Sequence, residues 1–202
     1  LGSQEEAITK TLLRMRDTII SEHITFQTGN LRTLSSRTPI VLKDIYLMFN
    51  EGYKSSAGKS LLNYELCEDA LSLTQSIVRS PGLACGEAEG LLALIIFNLS
   101  RFEARFTSEG ELIDLEHQDR SLWNQDLVRV ASHHLNRART ALYGTWHLEA
   151  AIAFKHASAP SFESTDWKGI SSLYDLILKT NDSSFTRLNH AVSVFYSGDT
   201  TR

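Results

Sequence analysis

The sequence is poor in the features that announce most functional classes. Its two cysteines, Cys67 and Cys85, are too few for a disulfide framework or a zinc set, and they read as buried, reduced cytosolic thiols. The apolar run Leu91–Leu99, broken only by Asn98, is far too short to cross a bilayer. No stretch of the sequence reads as a secretory signal peptide. Positive charge is scarce too: the net charge is −4, whereas a self-sufficient nucleic-acid binder is usually basic.

Catalytic signatures are equally thin. There is no Gly-x-Ser-x-Gly elbow, and neither cysteine has a helper nearby in sequence. No histidine pair takes the HExxH form, and the adjacent His133 and His134 point about 100° apart on a helix, so they cannot share an ion. Gly58-Lys59-Ser60 ends like a phosphate-cradling loop. That loop needs four residues between its glycines, however, and here five separate Gly52 from Gly58, after a segment that reads as helix and not strand. A flexible interhelical loop is the expectation. These shortages lead to an expectation of no enzyme, no metal and no cofactor.

What remains is helical pattern. With 42% hydrophobic and 22% charged residues, a chain of 202 is ordinary for one large domain, or one domain plus a fragment, and can bury roughly 70% of its unfolded surface. Ala88–Leu99 reads as the central helix of an all-α domain, because its run is apolar all round. Leu1-Gly2-Ser3 has the look of a cloning remnant. In Gln4–Ile20 an apolar stripe falls at Ile8, Leu12, Met15 and Ile19, with a capping-box pattern at Ser3 and Glu6 and with Lys10, Arg14 and Arg16 off the stripe. It reads as a solvated amphipathic helix or as one that enters a DNA major groove. Thr25–Thr38 reads as a linker, and Pro39 as the first turn of a buried helix over Ile40–Asn50.

Further helices are expected over Leu61–Val78, from Gln118–Trp123 through Ala138, and over Trp146–His156, Trp167–Leu178 and Phe185–Tyr196. The last has Phe185, Leu188, Val192 and Phe195 on one side. Glu109-Gly110 marks a small hairpin or extended loop near 102–116. The predicted fold class is therefore all-α, with antiparallel helix pairs (61–79 with 84–101, 121–139 with 146–157, 166–179 with 184–197) in a tetratricopeptide-like array. Trp167, Tyr174, Ala191 and Phe195, followed by Gly198-Asp199, carry the likeness of the third pair to such a unit. A further helix is due just after Arg202.

Several stretches in series resemble the C-terminal half of a bacterial extracytoplasmic-function RNA polymerase sigma factor carrying a tetratricopeptide-like extension. They are Tyr46-Leu47-Met48-Phe49-Asn50-Glu51-Gly52-Tyr53, Gly90-Leu91-Leu92-Ala93-Leu94, Gln118-Asp119-Arg120-Ser121-Leu122-Trp123, Ala150-Ala151-Ile152-Ala153 with His156-Ala157, Thr165-Asp166-Trp167 with Leu173-Tyr174-Asp175, and Leu188-Asn189 with Ala191-Val192. The resemblance implies that 1–24 is the remnant of the promoter-reading helix-turn-helix, with Glu6, Thr9, Lys10, Arg14 and Arg16 as DNA-binding residues. It makes 25–38 a linker and 39–202 a regulatory extension. Core RNA polymerase and promoter DNA would be partners of the full-length, cytoplasmic factor, with a protein or small-molecule regulator as a further one and no membrane association. The alternative is a free-standing helical-repeat module that binds a peptide or small effector.

Asn50, Glu51, Tyr53, Asp119, Arg120, Trp123, His156, Asp166 and Asn189 lie beside apolar stretches. They are expected to form one shared polar network or an effector groove. If Asp119 pairs with a buried cation there, removing it would be strongly destabilising. Acid–base chemistry by Glu51 with Asp119 is a third, weaker reading. Trp123, Trp146 and Trp167 are expected to pack in the core.

Overall fold

The computed structural model describes residues 2–24, 29–54, 63–139 and 144–198, the side chains of 2–9, 12 and 54 excepted. The Gly58-Lys59-Ser60 loop, the side chains of Ser3, Glu6, Ile8, Thr9 and Leu12, and Asp199 lie outside the described residues. The described residues form an all-α fold, with α1 (Gly2–Ser21), α2 (Leu31–Lys54), α3 (Tyr64–Arg79), α4 (Gly86–Leu99), α5 (Gln125–Arg137), α6 (Thr145–Ser158), α7 (Trp167–Leu178) and α8 (Ser184–Ser197). Short 3₁₀ turns lie at Phe102–Ala104 and Arg120–Leu122. The chain divides into two compact units, Leu1–Leu34 and Ser35–Arg202.

In the first unit, α1 leaves Leu13, Met15 and Ile20 exposed. The expected linker 25–38 is corrected here, because α2 begins at Leu31. The Asn30 side chain accepts hydrogen bonds from the Thr33 N–H (2.9 Å) and hydroxyl (3.0 Å), which is the work of a helix cap. Residues 31–38 contain no glycine or proline; their lack of an apolar stripe had concealed the helix. Pro39 is therefore an interior residue of α2 and not its first turn. It offers no N–H to the Ser35 carbonyl four residues back, and both residues are exposed, so water can take that carbonyl.

The second unit is organised by α4. Every residue from Ala88 to Phe97 is buried, as the all-round apolar run requires. Ala88, Leu91 and Ile95 pack against Leu42, Ile45 and Phe49 of α2 and Cys67 and Ala70 of α3. Leu92, Ala93, Ile96 and Phe97 pack against Trp123, Val128, Ala131 and Ala150. Helices α5 and α6 touch each other less than either touches α4. Gly90 makes one of these approaches possible: a Cβ there would stand 2.8 Å from the His147 backbone nitrogen of α6. A third cluster joins α6 to α7 through Leu148, Ile152, Trp167, Ile170 and Ile177, and α8 closes on α7. The hairpin near 102–116 is present as a single antiparallel bridge, Phe106 to Leu112, turning at Gly110 with φ +84°.

Cys67 is buried, and burial pushes its thiol up to about 11. Cys85 is exposed at the N-cap of α4, which corrects the expectation of two buried thiols. Trp123 and Trp167 are buried and Trp146 is partly buried, all in core clusters.

Candidate functional site

The five residues assigned to DNA contact lie on α1. Lys10, Arg14 and Arg16 are exposed, and Arg16 pairs with its neighbour Asp17 at 3.2 Å. The Glu6 and Thr9 side chains lie outside the described residues.

The nine polar residues of the extension do not share one network. They separate into groups, some held across elements, as Arg120 is, and others by their own turn, as Asp119 is. The first group surrounds Tyr53 at the end of α2. Arg105, only 5% exposed, donates to the Tyr53 carbonyl at 2.9 Å and lays its guanidinium 3.6 Å from the centre of the Tyr53 ring. Burial holds Arg105 below the usual guanidinium range, but with its π and carbonyl partners it serves as a structural cation. Asn50 hydrogen-bonds the hydroxyl of Tyr46, and Glu51 is exposed.

The second group is held by Arg120. Its guanidinium donates to the carbonyls of His156 (2.5 Å) and Ala159 (2.8 Å) and to the Thr165 hydroxyl (3.3 Å). It also lies 4.8 Å from the Trp123 ring centre. This one side chain ties the segment before α5 to the C-terminal end of α6 and the start of α7, and the carbonyls at a helix C-terminus are natural acceptors for a cation. The His156 ring meets the edge of Trp167 at 5.2 Å. Burial, with Arg101 and Arg120 nearby, drives its pKa down to about 4, and its Nδ1 has no hydrogen-bond partner.

Asp119 does not join this group. It is exposed and accepts from the Ser121 N–H at 2.9 Å, capping the 3₁₀ turn. The expectation that it neutralises a buried cation is corrected: Arg120 is satisfied by carbonyls and a hydroxyl. Asp119→Ala should accordingly shift the thermal midpoint by at most about 2–3 °C. A drop of 10 °C in a melting curve would show that Asp119 carries a hidden partner.

The third group lines the α7–α8 pair. Asp166 caps α7, accepting from the Gly169 N–H at 2.9 Å and pairing with Lys155 at 2.5 Å, which lowers its pKa, and it faces solvent. Asn189 hydrogen-bonds the buried Tyr174 hydroxyl. Glu149 of α6 lies near both Tyr46 and Tyr174, and burial pushes its carboxyl up. A pocket of about 380 Å³ opens here, with Asp114, Glu116, His156, Trp167, Asn189 and Tyr196 in its lining.

Sequence reasoning missed Glu89, Arg105 and Glu149. The side chain of Glu89 is 6% exposed and holds His134 (2.7 Å) and Arg137 (2.6 Å) of α5. Burial alone would raise its pKa, but the two hydrogen bonds outweigh that and lower it. A glutamate at the head of an otherwise apolar helix was the signal available. Nothing in these groups supplies an activated nucleophile; Glu51 lies on α2, and Asp119 caps the 3₁₀ turn before α5.

Comparison with known proteins bears on this architecture. Residues 37–139, which run from α2 through α5 and contain the whole of α4, match the model of a family of unknown function, DUF6596. The chain belongs to the DUF6596 family. An uncharacterized protein of Rhizobium meliloti (strain 1021) is 34% identical over 193 residues, which is 94% of this chain and 45% of that relative. The DUF6596 chain described here thus spans under half the length of the curated relative it matches. No solved structure matches it.

Proposed function

We propose that this DUF6596 chain is the C-terminal part of a bacterial extracytoplasmic-function sigma factor. In this reading α1 belongs to the promoter-reading helix-turn-helix, and the helical array after it is a tetratricopeptide-like regulatory extension. The protein binds and does no chemistry of its own. Core RNA polymerase and promoter DNA are partners of the longer protein, in the cytoplasm.

The observation that carries the reading is the ordered series of sequence likenesses from α2 to α8, preceded by a helix with Lys10, Arg14 and Arg16 exposed. Three cations on one helix are a small footprint for DNA, so the helix needs the rest of a longer protein to bind well. In that longer protein Arg14→Ala should weaken promoter binding at every sequence and lower the slope of log K against log salt by about 1. An unchanged slope would remove Arg14 from the groove and count against the promoter-reading role of α1.

A further inference from the structure

Around the turn before α5, three buried nitrogens find no hydrogen-bond partner: Arg101 Nε, Trp123 Nε1 and His156 Nδ1. Their side chains are neighbours. The Asn124 N–H donates to the Ser100 carbonyl at 2.8 Å, which holds Trp123 beside Arg101, and the Arg101 guanidinium carbon lies 5.5 Å from the centre of the indole. His156 is within electrostatic reach of Arg101, and its backbone carbonyl takes Arg120, which lies 4.8 Å from the same indole. Trp123 is only 3% exposed, so its N–H has no recourse to bulk water. A buried donor left without an acceptor is costly and rare, and three together call for a common acceptor.

The charge around these nitrogens is of one sign. Arg101 disfavours the protonated forms of Arg105, Arg120 and His156 alike. None of the ion pairs among the described residues includes Arg101, Arg105 or Arg120. Glu163 acts on Arg120, but from an exposed position, and Glu103 is exposed as well. Glu149 stands two turns before His156 on α6, about 10 Å along the helix axis. The nearby acceptor Gln118 Oε1 belongs to a side chain whose nitrogen donates to the Ile113 carbonyl at 3.0 Å, which holds it towards the hairpin. Burial and the two arginines keep the His156 ring neutral at pH 7, so it has one N–H to give. An ammonium would be repelled here, and a neutral amide would leave the positive charge uncompensated. A carboxylate is acceptor-only, and its plane matches the flat edges of a guanidinium and an indole better than a tetrahedral phosphate does.

We propose that Arg101, Trp123 and His156 form a binding site for a carboxylate, free or borne on a peptide, held by the guanidinium, the indole N–H and the imidazole N–H. The site owes nothing to α1, and its failure would leave the promoter-reading test of Arg14 untouched.

In the ¹⁵N-labelled chain the Trp123 indole N–H is identified by its loss in Trp123→Phe. Sodium propionate, titrated at constant ionic strength against sodium chloride, should move that resonance downfield and saturate. By calorimetry Arg101→Gln should bind propionate at least about tenfold more weakly, and Arg101→Lys nearly as weakly, because an ammonium lacks the flat fork. Trp123→Phe keeps the ring but not the donor and should cost about three- to tenfold. Circular dichroism checks that each variant is folded; if Arg101→Gln is not, propionate against its neutral counterpart propionamide decides the matter in the parent chain. A peptide with one central glutamate, compared with its glutamine twin, separates the sources: a glutamate peptide tighter than propionate places the carboxylate on a peptide, and the reverse order makes it a free acid. No shift with either carboxylate, an equal shift with propionamide or with chloride alone, phosphate binding more tightly than propionate, or full affinity in folded Arg101→Gln would overturn the proposal.

Discussion

Gly90→Ala is expected to destabilise the fold, by about 2 kcal/mol, although intrinsic helix propensity alone would make the same change stabilising by about 1 kcal/mol. The two effects have opposite signs, which makes the experiment decisive. Gly90 lies in the buried stretch Ala88–Phe97 of α4, where an added methyl would meet the His147 nitrogen at 2.8 Å and the Trp146 carbonyl carbon at 3.0 Å. Those are backbone atoms of α6 and cannot rotate aside, so the helices must part and loosen the apolar contacts around Leu92 and Ala150. Gly90→Val should cost more, about 4 kcal/mol, because a β-branched side chain needs still more room. Urea denaturation followed by far-UV circular dichroism measures both. A Gly90→Ala protein more stable than the parent would mean that α4 and α6 are not in close contact.

The second large effect is expected at Arg120. Arg120→Ala should lower stability by about 3 kcal/mol, a fall in thermal midpoint of roughly 6–12 °C in a chain of this size. Three acceptors lose a charged donor at once: the carbonyls of His156 and Ala159 and the hydroxyl of Thr165. The face of Trp123 loses the nearer of its two cations as well, Arg101 remaining at 5.5 Å. Arg120→Lys should recover little, because a point-like ammonium cannot span acceptors on two segments while stacking on the indole. The loss should appear in near-ultraviolet circular dichroism, where Trp123 and Trp167 report, before helix content falls. If Arg120→Lys melts with the parent, the planar fork is not what joins α6 to the turn before α5.

Much of the helical scaffold could be read from the chain alone, for specific physical reasons. An apolar run with no polar face, such as Leu91–Phe97, has nowhere to go but the interior. Glu109-Gly110 marked the hairpin because φ +84° at Gly110 suits a residue without a side chain. The first turns of α2 were hidden, because an exposed helix of small polar residues carries no stripe. The face of α8 was legible as a stripe but not as an exposed one, since periodicity says which residues share a side and not what covers it.

The polar groups were harder still. Arg105 reaches Tyr53 across 52 residues and Glu89 reaches Arg137 across 48, so no local spacing reveals them. Asp119 sits next to Arg120 in sequence and yet caps its own turn, while Arg120 is anchored 36 to 45 residues away.

The crowding of α4 also bears on how such a protein could have been assembled over time. Repeat arrays commonly grow by duplication of a self-contained hairpin, each newcomer resting on the one before. Here α3, α5 and α6 all lean on a single helix that presents no side to water, so no intermediate lacking one of them would have kept that helix dry. Removing α3, α5 or α6 would open α4 to water, whereas the pair α7 and α8, resting chiefly on α6, could be exchanged without uncovering it.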